Sequence, residues 1–182
     1  MKPGDLLHVV GTTQVLAALT ERPEPSPRRL IHHLGVGDHY VYVTHNPVSG
    51  AALDWLRQLC FRDQAAPDFF EKTIAEALQC STRVTLDPPF LGGDRLEIEA
   101  HRAAFRDLTL ATDRIELLTA LLEAMRRRHR AAVADLGLGD SFERIFLSGG
   151  GADVVRRLLP EYSERKVQFL KEASLCGVAH LF

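Results

Sequence analysis

The 182-residue sequence is short of several things, and each shortage removes a class of function. Its three cysteines, Cys60, Cys80 and Cys176, lie far apart and form no C-x-x-C pair. Neither a disulfide framework nor a zinc ribbon is written into such spacing, and reduced structural thiols lead to the expectation of a cytoplasmic protein. No apolar stretch approaches the ~18 residues of a membrane-spanning helix, and Met1-Lys2-Pro3-Gly4-Asp5 opens no signal peptide. Charge of one sign is also lacking. With 22 Lys and Arg against 24 Asp and Glu the net charge is −2, which recommends neither nucleic acid nor an acidic membrane as partner. The basic run Arg126 to Arg130 points all round a helix axis and reads as a solvated face. His32, His33, His39 and His45 follow no metal-ligand spacing, and no metal site is expected from them. There is no internal repeat. What remains, at 46% hydrophobic and 25% charged residues, is a globular domain long enough to bury a core.

Against these absences one stretch stands out: Arg144-Ile-Phe-Leu-Ser-Gly-Gly-Gly-Ala152. The apolar run Ile145–Leu147 stops at Ser148, three glycines follow, and Val154, Val155, Leu158 and Leu159 then recur at helical spacing. Strand, glycine turn and helix bring backbone close to a ligand, because glycine has no Cβ to block the approach and a helix start offers unpaired amides. A tight turn without a ligand is the plain alternative. A P-loop is excluded, since no Gly-Lys-Ser/Thr closes the loop. A dinucleotide fingerprint fits in part: Gly149-x-Gly151 is present, Val154 replaces the third glycine, and Glu172 follows about 20 residues on. No strands remain after it to complete a doubly wound sheet. The adenosine-binding turn of an actin-like ATPase is the third reading. Ser148 has no Gly-x-Ser-x-Gly elbow around it, so hydrolase chemistry is not expected.

Taken in order, Leu6–Val10 and Val15–Leu19 read as strands joined by Gly11-Thr12-Thr13, a turn whose small and hydroxylic residues suit phosphate oxygens. Pro23, Pro25 and Pro27 make residues 21–29 a surface loop. Tyr40–Thr44 is a third strand. A helix is expected from Ser49 to Phe61, burying Leu53, Leu56 and Leu59 or Cys60, and another stretch from Asp68 to Leu78. Val84–Leu86 reads as a short strand before the loop Asp87 to Arg95. The clearest helix starts at Thr112 or Asp113 with Glu116 in capping-box position, runs along Ile115, Leu118, Leu122, Met125, His129, Ala132 and Leu136, and ends at Gly137 and Gly139. Lys166–Leu170 is a last strand and Lys171–Phe182 a terminal helix. Three strands in sequence followed by alternating helices and strands form an α/β mixed sheet with helices on both faces, the layout of a ribonuclease H-like lobe. That layout places the Gly11 and Gly149 turns at one end of one sheet.

In these motifs the chain resembles the second lobe of the FGGY-family carbohydrate kinases. Pro3–Thr13 is similar to the family's second phosphate motif, and Ser49-Gly50-Ala51-Ala52-Leu53-Asp54-Trp55-Leu56 to its Ser-Gly-Gly-x-Leu-x-Trp-Leu helix start. Phe90–Arg95 resembles the Leu-x-Gly-Glu-Arg loop, Phe105–Leu110 the Phe-x-Gly-Leu segment, Ser148–Ala152 the adenosine motif, and Glu172–Ala179 the closing Glu-Ala-x-x-x-Gly-Ala-Ala helix. The resemblance implies one domain over residues 1–182 with an insertion around 64–112. It implies ATP and Mg²⁺ as cofactors, with Gly11, Thr12 and Thr13 facing the β- and γ-phosphates and Gly149, Gly150, Gly151 and Ala152 lying against adenosine.

The departures from the family are specific. Asp107 stands in place of the glycine of Phe-x-Gly-Leu, Asp94 in place of a glutamate, and Val154 where an Asn or Ser near adenine is common. The family's catalytic aspartate and first lobe lie upstream of the Pro3-Gly4-Asp5 strand, and Asp5 is not that base. The expectation is therefore an ATP-binding lobe inactive by itself, either part of a longer kinase or a remnant, with a sugar bound only when the other lobe is supplied. A non-catalytic module is the alternative. It predicts an apolar surface on the Gly11/Gly149 side that pairs copies as a homodimer.

Overall fold

The computed structural model describes residues 1–35, 37–46, 48–87, 102–138 and 142–171. Its centre is a six-stranded sheet in the order β3-β4-β2-β1-β7-β8. β1 (Asp5–Val10), β2 (Gln14–Thr20), β3 (Leu30–His33) and β4 (Tyr40–Asn46) pair antiparallel. β7 (Arg144–Ser148) then lies parallel to β1, and β8 (Lys166–Leu170) parallel to β7. Both parallel connections carry a helix, as crossovers between parallel strands usually do. They are α4 (Arg114–Leu136) before β7 and the short α5 (Ala152–Leu158) before β8.

The strand alternation of period two decides which side meets the helices. Leu6, His8 and Val10 of β1, Leu16 and Ala18 of β2, Tyr42, Thr44 and Asn46 of β4, and Ile145 and Leu147 of β7 are all buried and in register on one face. Against this face pack Leu118, Leu122, Met125, Ala132 and Leu136 of α4, with Val155 and Leu158 of α5 in the same core. α1 (Gly50–Cys60) adds Ala52, Leu53 and Leu56. Its Leu59 is 58% exposed while Cys60 is half-buried, which resolves the expected choice between them. α1, α4 and α5 thus share one core on one side of the sheet, and the expected terminal helix after Lys171 lies outside the described residues.

α4 begins as its sequence dictates. The Asp113 carboxylate accepts the amides of Ile115 at 2.8 Å and Glu116 at 2.9 Å, and Glu116 accepts the Asp113 amide at 3.1 Å, a complete capping box. It ends on Gly137, left-handed at φ 75°. Arg29 donates to the α4 terminal carbonyls of Leu136 at 3.0 Å and Asp135 at 3.4 Å and lies 3.9 Å over the Tyr42 ring. That anchor fastens the end of the proline loop to α4 and β4 and delivers the next four residues to the sheet edge as β3, a strand the sequence reading lacks.

Between α1 and α4 the chain makes α2 (Ala66–Asp68), a π-helical turn (Phe69–Thr73) and α3 (Ile74–Ala77), where a single helix is expected. Phe69, Ile74 and Ala77 are buried, so this stretch joins the main core. β5 (Thr85–Leu86) and β6 (Phe105–Arg106) form a small second sheet. The expected Phe90–Arg95 and Glu172–Ala179 motifs, and Gly139, lie outside the described residues.

Candidate nucleotide site

Ligands of sheets with parallel strands bind beyond the carboxyl ends of those strands. β1 ends at Val10 and β7 at Ser148, and the two glycine turns follow directly. The Val10–Gly11 segment joins them. Val10 O accepts the Gly151 amide at 3.1 Å, and Gly11 O accepts the Gly50 amide, at the start of α1, at 3.1 Å.

The glycines divide by what requires them. Gly149 has φ +93°, and a Cβ there would overlap the Val10 carbonyl. A Cβ on Gly151 would sit 2.6 Å from Val10 Cγ1, and one on Gly50 would sit 2.6 Å from Gly11 O. These three are demanded by the protein's own packing. Around a Cβ on Gly150 there is nothing within 4 Å, and around one on Gly11 only Thr13 O at 3.9 Å. Nothing in the described chain requires glycine at 150, and both Gly149 and Gly150 are exposed. The space beside them is open to a ligand.

Hydrogen bonding sorts the donors in the same way. Gly11 donates to Thr13 O at 2.8 Å, and Thr12 O accepts the amides of Ser49 at 3.0 Å and Ala51 at 3.3 Å. All three carbonyls of the turn are thus engaged inside the protein, and the first amides of α1 are spent on capping by that turn rather than left for an anion. The exposed hydroxyls of Thr12 and Thr13 are what the turn shows to solvent. On the other turn, Ala152 donates to Gly149 O at 3.1 Å and its side chain is buried, as is that of Val154. Unpaired amides at the start of α5, expected from the sequence, are therefore not found at Gly151 and Ala152. What this turn shows to solvent is the bare backbone of Gly149 and Gly150. Ser49 is missed by the sequence reading as a site residue. It is buried at the edge of the Gly11–Thr13 turn, with its hydroxyl unpartnered among the described residues. Only its place in the Ser-Gly helix start could have marked it. Val48 and Ala51, from the same α1 start, also line an apolar cleft of about 460 Å³ closed by Trp55, Leu86 and Phe105.

Asp5 lies at the other end of β1. It is buried in a two-pronged pair with Arg144, at 2.8 and 2.7 Å, and accepts the Lys2 amide at 2.7 Å. Burial works against its ionisation, but the Arg144 hydrogen bonds and that amide hold its carboxyl below the usual range. With β1 rising ~3.4 Å per residue, five residues place it roughly 17 Å from the turns. It has no part in the site. Among the described residues no group of three His, Cys, Asp or Glu converges on a metal position, and no helix is long and apolar enough to cross a membrane.

Five strands of this sheet, β4-β2-β1-β7-β8, stand as third, second, first, fourth and fifth of an antiparallel meander running into parallel units, with β3 added at the edge. That is the lobe of an actin-like ATPase, with the two glycine turns at the ends of its first and fourth strands. Among the described strands only β1, β7 and β8 run parallel, where the dinucleotide reading calls for a doubly wound sheet. Residues 6–181 match the C-terminal domain of the FGGY family of carbohydrate kinases, and the chain belongs to that family. Similar solved structures include the xylulose kinase of Rhodospirillum rubrum, 26% identical over 95% of this chain and 36% of that one, with a TM-score of 0.72. The Bifidobacterium adolescentis xylulose kinase is 25% identical over 93% and 34%, with a TM-score of 0.69. The Plasmodium falciparum glycerol kinase with ADP shares the fold at 18% identity and a TM-score of 0.74, over 98% and 38%. The chain thus spans about a third of the length of these kinases. No curated protein sequence matches it.

Proposed function

We propose that this domain is the ATP-binding lobe of an ATP-dependent carbohydrate kinase, which transfers the γ-phosphoryl group to a sugar or polyol hydroxyl once a second lobe faces it. One observation carries the reading: the Val10–Gly11 segment brings the Gly11–Thr13 turn, the start of α1 and the Gly149–Gly151 turn onto one surface, with Gly150 free of any packing need. On this reading Gly11, Thr12 and Thr13 face the β- and γ-phosphates through hydroxyls and backbone. Gly149, Gly150 and Gly151 let the adenosine lie against bare backbone, and Ala152 supports them from the core. The orphaned Ser49 hydroxyl is a further polar group for the nucleotide end of the site.

Magnesium fits as a companion of the phosphates. It keeps several waters and takes few protein oxygens, for which the Thr12 and Thr13 hydroxyls are available, and when bound it neutralises phosphate charge. This chain's share of catalysis is positioning: fixed turns that hold the donor while the sugar and a general base are supplied from outside residues 1–182.

Calorimetric titration with Mg·ADP, Mg·ATP and NAD tests the reading. Adenine nucleotides bind and NAD does not, and Gly150→Val abolishes binding with the fold intact. Equal silence toward all three nucleotides would favour the non-catalytic module.

A further inference from the structure

Beneath the Gly11–Thr13 turn runs a buried polar chain that neither the sheet ladder nor the glycine turns require. Gln14, the residue after the turn, places Nε2 2.8 Å from His129 Nδ1 on α4. His129 Nε2 lies 3.0 Å from the hydroxyl of Tyr162, which sits in the 3₁₀ turn Pro160–Glu164 between α5 and β8. The same hydroxyl lies 3.0 Å from His8 Nδ1 on β1. The two imidazoles stack with centroids 4.8 Å apart. All four side chains are buried.

Donor chemistry gives the chain a direction. An amide nitrogen only donates, so His129 Nδ1 accepts. Its imidazole, neutral in the core, carries its proton on Nε2 and donates it to Tyr162, whose hydroxyl donates to His8. His8 Nε2 ends the series without a partner among the described residues. Four apolar residues would fill this space with no desolvation cost. What hydrogen bonds add is register, since any slide between the elements leaves a buried donor or acceptor unpaired.

The elements so tied are informative. Gln14 follows the first ligand turn directly, and its backbone is held between Val10 and Asn46. Tyr162 closes the unit that starts with the second ligand turn and α5. Both meet His129, on the helix that crosses the sheet.

We propose that Gln14, His129 and Tyr162 are the positioning residues of the nucleotide site, fixing the spacing of the two glycine turns by anchoring both to α4; the inference rests on the nucleotide reading above. The test uses the 182-residue chain titrated with Mg·ADP, with the imidazole nitrogen signals followed by NMR. Thr44→Val is the structural control. It removes a different buried bond to α4, from Thr44 Oγ1 to Ala132 O at 3.3 Å, and leaves the chain whole.

Wild type is expected to bind ADP and to shift the His129 signals, although that ring is buried. Gln14→Met and Tyr162→Phe, two independent cuts, should each weaken ADP about tenfold, and Gln14→Met should remove the ADP-dependent shift. Thr44→Val should lower the melting temperature and leave ADP affinity alone. Affinity unchanged in both cuts, or lowered equally by Thr44→Val, overturns the positioning role while the nucleotide site stands. A wild-type chain that binds no ADP overturns the nucleotide reading itself, and this inference with it.

Discussion

The carbonyl of Val10 accepts the amide of Gly151 at 3.1 Å, and the same carbonyl stands where a Cβ on Gly149 would be. One backbone group at the end of β1 thus sets the path of the loop after β7. Gly149→Ala combines a left-handed backbone at φ +93° with this overlap. It is expected to cost about 2–4 kcal/mol, read as a lower urea midpoint. Gly150→Ala, one residue on in open space, should stay within about 0.5 kcal/mol of wild type and act on ADP binding instead. If both cost the same stability, the division between packing glycines and ligand glycines is wrong.

Stability should fall with acid well before the carboxylates titrate. Burial is the main cause that pushes His129 from 6.5 down to about 4, with Arg130 adding to it and Glu161 opposing. His8 is pushed well below its usual value, by burial first and then by His129. As pH drops through 6.5 the unfolded chain takes up protons that the folded core refuses, so the stability present at pH 7 drains away toward pH 4. His129 alone accounts for about 3 kcal/mol of that loss. Urea midpoints between pH 7.5 and 4.5 measure it. The slope should shrink in His129→Gln, and a flat profile in wild type would contradict a neutral buried His129.

Much of this was legible in the sequence, for reasons that separate the successes from the gaps. The Asp113/Glu116 capping box and the stripe from Leu118 to Leu136 are local signals, and α4 follows them. His129 falls on that stripe, but its partners come from β2 and the turn before β8, and no spacing along the chain reveals them. β3 is the clearest gap. Leu30-Ile31-His32-His33 is short and half polar, and it becomes a strand because Arg29 is tied to carbonyls more than a hundred residues away. The two glycine turns stood out as sequence, but which glycine serves the fold and which is free depends on Val10, which looks like any strand residue.

The Asp5–Arg144 pair should be a matter of stability alone. Asp5 is fully buried, while the Arg144 side chain keeps 38% of its surface exposed and can rehydrate when its partner is removed. Asp5→Ala is therefore expected to cost about 2 kcal/mol, below the range for pairs buried at both ends. Affinity for ADP should not change, because the pair closes the end of β1 remote from the turns. A nucleotide effect at constant fold would place the site elsewhere.

Asp107 offers the opposite sign. It is the only non-glycine among the described residues with positive φ, at 61°, and it occupies the position where the family pattern has glycine. A left-handed backbone costs an L-residue about 1–2 kcal/mol, less for Asp than for most. Glycine relieves that cost but gives some back through the greater freedom of the unfolded chain. Asp107 is exposed, so little packing is lost with its side chain. Asp107→Gly should then stabilise the domain by about 0.5–1 kcal/mol, and Asp107→Ala should destabilise it, since alanine keeps the strain without the short polar side chain that tolerates it. Urea unfolding of the three proteins side by side gives the order Gly, Asp, Ala if backbone strain governs this turn. If Asp ranks first, its side chain rather than the dihedral holds the turn after β6.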